Sequence, residues 1–208
     1  MIVDFHTHHA TARGAISPRS FGIHPWHSHR WLQGLGGDPR EALLREMPAD
    51  LEVVGECGLD KCCDAPWESQ MLVFELQLQE AERRGLPVVV HCVRAFNELM
   101  QLRRRHGATP WVVHGFVGAP QLARQLCDHG IGVSFGAALL DDRRDKVRLS
   151  LRSRLASDGT LLPLTFLETD EAPASIDDVY RAAAQILGID LAALSDAIKK
   201  NYHTLLST

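Results

Sequence analysis

Short apolar runs rich in β-branched residues recur along the chain and alternate with stretches of helical spacing. The runs are MIVDFHTH, SFGIHPW, LEVVGECGLD, LPVVVHCVR, PWVVHGF, GIGVSFGA and LTFLETD. Continuous apolar runs of this kind are typical of parallel strands that are buried on both faces. Their alternation with helices, over 208 residues without a linker or a shift in composition, predicts one α/β domain spanning residues 1–208.

Polar residues that can bind a metal or move a proton stand at the carboxyl ends of these runs. They are His6, His8, His24, Glu56, His91, His114 and Asp170. A closed β/α barrel gathers the carboxyl ends of its strands around one mouth, where such enzymes carry their chemistry, whereas an open sheet spreads them along a line. The pattern therefore favours a TIM-like β/α barrel.

The first strand carries Asp4, His6 and His8 on one face, because side chains alternate along a strand. Two neutral imidazoles one strand repeat apart converge on a point, and imidazole is the commonest metal ligand. The alternative for either histidine alone is an ordinary core or surface residue. The His-x-His pair favours a metal site.

Four of these histidines, His24 not among them, make six nitrogen or oxygen ligands together with the glutamate and the aspartate. Six ligands are too many for one open tetrahedral zinc site and suit two metals that share a carboxylate. The predicted assignment gives His6, His8 and Asp170 to one metal, His91 and His114 to the other, and Glu56 to both. These ligand types leave the two divalent ions open among zinc, nickel, manganese, iron and magnesium. Such a pair implies hydrolysis, with Glu56 and Asp170 as catalytic residues and Asp170 as the group that passes protons.

The composition restricts the other function classes. A net charge of −4 argues against a broad basic surface for long nucleic acids. From the sequence we expect a protein without a leader, without a membrane-spanning segment and without an obligate protein partner. The five cysteines, an odd number, predict reduced thiols in a cytoplasmic protein. No glycine-rich phosphate loop and no G-x-S-x-G elbow follow a strand, which argues against nucleotide cofactors and serine hydrolase chemistry.

Two helices have recognisable ends in the sequence. Apolar residues at helical spacing predict a helix over residues 67–84, with Asp64 as a candidate N-cap and Gly85 as its stop. Nearer the carboxyl terminus, Ser175 and Asp178 resemble a capping pair that opens another helix. These helices supply core contacts rather than ligands.

Six motifs in chain order resemble those of TatD-like metal-dependent hydrolases, a deoxyribonuclease-containing branch of the amidohydrolase superfamily. The motifs are DFHTH, GIHPW, GECGLD, LPVVVH, VVHGF and ETDEAP, and NYHTLL resembles the closing segment of the family. The resemblance implies a β/α barrel with a divalent metal centre. It gives the ligand roles to His6, His8, Glu56, His91, His114 and Asp170.

The resemblance also implies that His24 and Arg94 lie near the substrate. The alternative for His24 is a residue that stabilises the turn before Pro25. Arg94 stands one position later than its counterpart in the family, so the alternative is a surface arginine at the start of a helix. Both interpretations stay open for each residue.

The chain departs from the family pattern between His8 and His24, which only fifteen residues separate. The family usually fits a helix, a strand and a second helix there. We therefore expect an incomplete or distorted barrel with seven strands and a more open mouth.

The predicted function is hydrolysis of a phosphodiester, at DNA ends or in a small ester, by a water molecule that a metal activates. One alternative is a phosphoesterase of the polymerase-and-histidinol-phosphatase type, which usually closes with a D-x-H pair, whereas here Glu171 and Ala172 follow Asp170. The others are an amidohydrolase acting on a small ester or amide and a protein that binds metal without turnover.

Overall fold

The structure, a computed structural model, describes residues 2–207. Met1, which we predicted at the start of the first strand, and Thr208 lie outside the described residues. The backbone contacts divide the chain into two compact units, one formed by residues 2–17 with 112–207 and the other by residues 18–111. The single domain over residues 1–208 stays a prediction.

Most of the strands are short, and each predicted strand is present. The strands are β1 (Ile2–Val3), β2 (Ala15–Ile16), β3 (Ser20–Phe21), β4 (Val53–Asp60), β5 (Val88–Val93), β6 (Trp111–Val113), β7 (Ile131–Phe135) and β8 (Thr165–Leu167). We did not predict β2, because two residues are too few to form a pattern in the sequence. It makes the number of strands among residues 2–207 eight rather than the expected seven.

Eight α-helices occur among the described residues. They are α1 (Ser28–Gln33), α2 (Pro39–Glu46), α3 (Trp67–Arg84), α4 (Phe96–Arg105), α5 (Pro120–Asp128), α6 (Asp145–Arg152), α7 (Ile176–Leu187) and α8 (Leu191–Leu206). Short 3-10 helices occupy Pro25–His27 and Ala137–Leu140. No helix within residues 2–207 has the length and apolar character needed to cross a membrane.

The predicted helix ends are confirmed with one exception. Helix α3 ends at Gly85, whose φ of 67° lies in the left-handed region that favours glycine. Ser175 caps α7 by accepting a hydrogen bond from the backbone N–H of Asp178 at 3.2 Å. The prediction of Asp64 as N-cap of α3 is wrong, because Pro66 occupies the capping position and the helix begins one residue later.

In the unit of residues 18–111, strands β3, β4 and β5 are parallel neighbours. The register of β4 on β5 sets Gly58 opposite His91. Gly58 has a φ of 149°, and a β-carbon at this position would overlap the carbonyl oxygen of His91. Only glycine therefore lets the two strands approach this closely.

In the unit of residues 2–17 and 112–207, β1 pairs with β2, and β7 pairs with β8, both in parallel. The segment after β1 runs beside β8, since the N–H of Phe5 donates to the carbonyl of Leu167 at 2.9 Å. The ring of Phe5 also stacks on Phe166 with centroids 4.4 Å apart. This pairing brings the N-terminal histidines to the residues that follow the last strand.

Candidate metal centre

The first cluster of ligand-type side chains joins the two ends of the chain. The N–H of Asp170 donates to the carbonyl of His6 at 2.9 Å, and the N–H of His8 donates to the carbonyl of Asp170 at 3.2 Å. The Oδ1 atom of Asp170 consequently lies 3.9 Å from Nε2 of His6 and 3.6 Å from Nε2 of His8. These backbone bonds fix one carboxylate beside two imidazoles.

His114, just after β6, completes this cluster. Its ring lies 4.6 Å from the ring of His6, and the ligand atoms of His6, His114 and Asp170 lie within 4.8 Å of one another. His6 and His114 are buried, whereas the side chain of Asp170 is 36% exposed. The cluster is thus open to solvent on the side of the carboxylate.

Asp170 has a φ of 55°, in the left-handed region that most side chains avoid. Aspartate and asparagine adopt this conformation more readily than other residues with a side chain. The strained backbone turns the carboxylate towards the two histidines in the segment after β1. Strain of this kind is found mostly where function requires a fixed geometry.

Glu168 is a residue of this cluster that the sequence analysis missed. Its fully buried carboxylate accepts a hydrogen bond from the N–H of Gly115 and lies 3.6 Å from Nδ1 of His114. Burial opposes ionisation, but hydrogen bonding to His114 and the charges of His114 and His6 hold the pKa of Glu168 below its usual range. An ionised carboxylate here fixes the ring of His114.

The second cluster lies in the unit of residues 18–111 and consists of His24, Glu56 and His91, whose ligand atoms lie within 4.8 Å of one another. The Oε1 atom of Glu56 is 2.9 Å from Nδ1 of His91. The other ring nitrogen of His91 is 3.3 Å from Oδ2 of Asp60. A neutral imidazole carries one proton, so it donates to only one of these two carboxylates. The imidazole nitrogens and carboxylate oxygens of this cluster therefore suit a bound cation.

Asp60 is a second residue that the sequence analysis missed. It shares a face of β4 with Glu56, because the two residues are four positions apart on a strand. Burial raises the pKa of Asp60, but the hydrogen bonds from the indole of Trp26, the N–H of Cys62 and the ring of His91 lower it by more than burial raises it. The pKa of Asp60 therefore lies below its usual range. Asp60 is thus an ionised neighbour of His91.

His24 stabilises the turn that it opens, as one interpretation of the sequence proposed. Its Nδ1 accepts a hydrogen bond from the N–H of Trp26 at 3.2 Å, and its Nε2 lies 3.1 Å from Oε1 of Glu56. A neutral ring that accepts at Nδ1 carries its proton on Nε2 and donates it to Glu56. A contact with substrate stays a prediction for His24.

Two glutamines of α3 hold this cluster in place. Gln77 accepts a hydrogen bond from the N–H of Ile23 at 2.6 Å and donates to the carbonyl of Ile23 at 3.2 Å, next to His24. Gln70 accepts from the N–H of Asp60 at 2.8 Å and donates to its carbonyl at 3.0 Å. Sequence periodicity assigned α3 to the core and missed these bonds.

Within each unit, the structure brings several of the predicted ligands together. His6, His8, His114 and Asp170 form one set, and Glu56 and His91 form the other together with His24. Arg94 follows β5, is exposed and has a φ of 54°. Its contact with a phosphate stays a prediction, as does the role of each ligand.

Comparison with known proteins identifies a protein family that matches this chain. The family model described as TatD related DNase matches residues 5–207. A protein of Escherichia coli K12, the uncharacterized metal-dependent hydrolase YjjV, is 30% identical over 199 residues, which cover 89% of this chain and 75% of that protein. The 3′-5′ ssDNA/RNA exonuclease TatD of Enterobacter lignolyticus is 32% identical over 143 residues, covering 64% of this chain and 50% of that enzyme.

Solved structures agree with the family model. The crystal structure of E. coli YjjV superposes with a TM-score of 0.71 at 25% identity and covers 95% of this chain and 78% of that one. A TatD-family hydrolase from Entamoeba histolytica gives a TM-score of 0.72 at 17% identity, over 92% of this chain and 74% of that one. These likenesses confirm the predicted fold class, a TIM-like β/α barrel. The chain spans only about half of the Enterobacter exonuclease.

Proposed function

Since this chain belongs to the family of TatD-related DNases and is a metal-dependent hydrolase, we propose that it cleaves phosphodiesters at strand ends or in small esters. The observation that carries the proposal is the pair of clusters in which imidazole and carboxylate groups converge within 4.8 Å. Hydrolases acting on ester bonds use such ligand sets.

The side chains that would hold divalent ions are those of the two clusters. His6, His8, His114 and Asp170 offer one set of ligands, and Glu56 and His91 offer the other. A divalent ion supplies a Lewis acid that polarises a phosphoryl oxygen and lowers the pKa of water. Two ions per chain, with zinc, nickel, manganese, iron or magnesium as candidates, and a bridging role for Glu56 are part of this proposal.

Asp170 is the proposed proton carrier. Its carboxylate is partly exposed and is held by backbone hydrogen bonds on both sides of the residue, so it reaches substrate without a large loss of side-chain entropy. In the proposed reaction Asp170 accepts a proton from the attacking water and then gives it to the leaving oxygen. Glu168 keeps the ring of His114 in one orientation meanwhile.

The small negative net charge favours strand ends and small esters over long duplex DNA. Affinity for a long nucleic acid grows with the number of phosphates that a basic surface neutralises, and the chain carries 22 basic against 26 acidic residues. The relative from Enterobacter is named an exonuclease, which supports cleavage from an end. A cytoplasmic location is also part of the proposal, from the cysteine content.

The test is a panel of a phosphodiester, a phosphomonoester, an ester and an amide, with the protein as purified, after chelation and after refilling with each candidate metal. We expect phosphodiester cleavage that chelation abolishes and refilling restores, with close to two metal ions per chain. Cleavage of the ester or amide alone would favour the amidohydrolase alternative. Metal binding without turnover on any substrate would refute the proposed activity.

A further inference from the structure

The turn after β3 and the helix α1 present aromatic and basic side chains together. We call the four residues Trp26, His27, Arg30 and Trp31 the aromatic–basic track. Trp26, His27 and Arg30 are exposed, and Trp31 is half-buried. The sequence has no acidic residue between Asp4 and Asp38. This stretch of sequence is therefore basic, and in the fold the carboxylates of Asp60 and Glu46 accept hydrogen bonds from the indoles of Trp26 and Trp31.

Trp26 is exposed and yet fixed in orientation. The side chain is 55% exposed, its indole N–H donates to Oδ2 of Asp60 at 2.7 Å, and its ring packs edge-on against His24 at 4.7 Å. The ring lies 6.0 Å from that of His91. A large apolar face is therefore held open beside the cluster of His24, Glu56 and His91.

The cavity beside Trp26 suits a flat, uncharged group. It has a volume of about 420 Å³ and is lined by Asp60, Cys62, Cys63, Asp64 and Ala65 besides the indole. This lining has two carboxylates and no basic side chain, which disfavours a phosphate. A nucleobase has an aromatic face for the indole and amino groups for the carboxylates, and base stacking on an aromatic side chain tolerates any sequence.

A second cavity, lined by the other three residues of the track, suits a phosphate. It has a volume of about 480 Å³, and His27, Arg30 and Trp31 line it together with Glu46. The carboxylate of Glu46 accepts hydrogen bonds from the indole N–H of Trp31 at 3.0 and 3.1 Å. Arg30 and His27 line this cavity as exposed basic residues. Arginine is well suited to contact a phosphate oxygen.

We infer that the aromatic–basic track binds a single-stranded segment of the substrate, with an unpaired base on Trp26 and a neighbouring phosphate on Arg30 and His27. The inference rests on the proposed phosphodiesterase function and assigns residues to substrate recognition. Base pairs of a duplex are already stacked on their neighbours, so Trp26 discriminates in favour of single strands or frayed ends.

The test is the affinity of the metal-loaded protein for a fluorescent single strand with uncleavable phosphorothioate linkages, measured by anisotropy across a salt series. Trp26→Ala should weaken binding by about fivefold to a hundredfold, the range that base stacking supports. Trp26→Phe keeps an aromatic face but loses the hydrogen bond to Asp60, and should recover most of the affinity. Duplex binding should change by less than twofold in both variants.

Arg30→Ala should reduce the slope of log Kd against log salt by about 0.7, the value for one phosphate contact on a single strand. Arg40, exposed on α2 outside the track, is the matched control, and Arg40→Ala should leave affinity and slope unchanged. Wild-type affinity in Trp26→Ala, equal weakening in Trp26→Phe and Trp26→Ala, or equal slopes in the two arginine variants would overturn the inference. The proposed function is tested separately, by cleavage of unmodified strands by the wild-type protein. Absence of this cleavage would refute the proposed function and not the binding of single strands by the track.

Discussion

Gln77 is the residue of α3 on which the position of the His24 turn most directly depends. Its side chain is fully buried, and its amide makes hydrogen bonds of 2.6 and 3.2 Å to the N–H and the carbonyl of Ile23. Ile23 is itself only 7% exposed, so water does not readily replace the lost partner. The substitution Gln77→Leu keeps the volume of the side chain and removes both bonds.

The expected loss of stability follows from these contacts. A buried polar group left without a partner costs about 1–3 kcal/mol, and Gln77→Leu leaves two such groups on Ile23. The added apolar burial of leucine offsets a part of this cost, so we expect a net loss of about 2–4 kcal/mol. For a chain of this size the melting temperature should fall by roughly 5–15 °C.

The assay is urea unfolding and thermal melting of the wild type, Gln77→Leu and the control Gln79→Leu. Gln79 lies on the same helix but is exposed, so the control carries the same chemical change without the buried partner. We expect Gln79→Leu to stay within about 0.5 kcal/mol of the wild type. Equal stabilities for the two variants would show that the amide of Gln77 does not hold the turn.

Two further predictions concern the cluster of Asp170 and His114. Asp170→Asn removes the proton acceptor but keeps a side chain that tolerates the left-handed backbone. We therefore expect kcat to fall by about two to four decades while most of the metal stays bound. A normal kcat with full metal content would contradict the proposed role of Asp170 in proton transfer. Glu168→Gln weakens the hold on the ring of His114, and the affinity for the metal should fall by about tenfold to a hundredfold in a chelator competition. Unchanged affinity would exclude this orienting role.

The strands could be predicted from the sequence because parallel strands that are buried on both faces consist of continuous apolar, β-branched residues. One end of each of two helices could also be predicted from the sequence. Gly85 ends α3, and Ser175 with Asp178 begins α7, because these residues act through local backbone geometry and hydrogen bonds. The prediction of Asp64 as N-cap was wrong for a local reason as well. Pro66 is compatible with the start of a helix and determines where α3 begins. Strand β2 is too short for any periodicity.

The site was predictable as a set of ligand types and not as a set of contacts. Asp60 shares a face of β4 with Glu56, and Glu168 stands two positions before Asp170 in the apolar run LTFLETD, so the alternation that selected His6 would have found both. Gln70 and Gln77 gave no such signal, because their partners are backbone groups, which every residue type carries. The aromatic–basic track was missed because net charge averages over all residues.

The pairing of the segment after β1 with β8 has a consequence for the order in which the protein is made. The cluster of His24, Glu56 and His91 comes from the continuous stretch 18–111 and is complete in a chain of little more than half length. The cluster of His6, His114 and Asp170 draws on both ends of the sequence. On a ribosome, which releases the chain from its amino terminus, His6 and His8 are synthesised first, yet they meet their carboxylate only after Asp170 has emerged. A translation product that stops between residue 111 and Asp170 therefore contains every residue of one ligand cluster and lacks the carboxylate of the other.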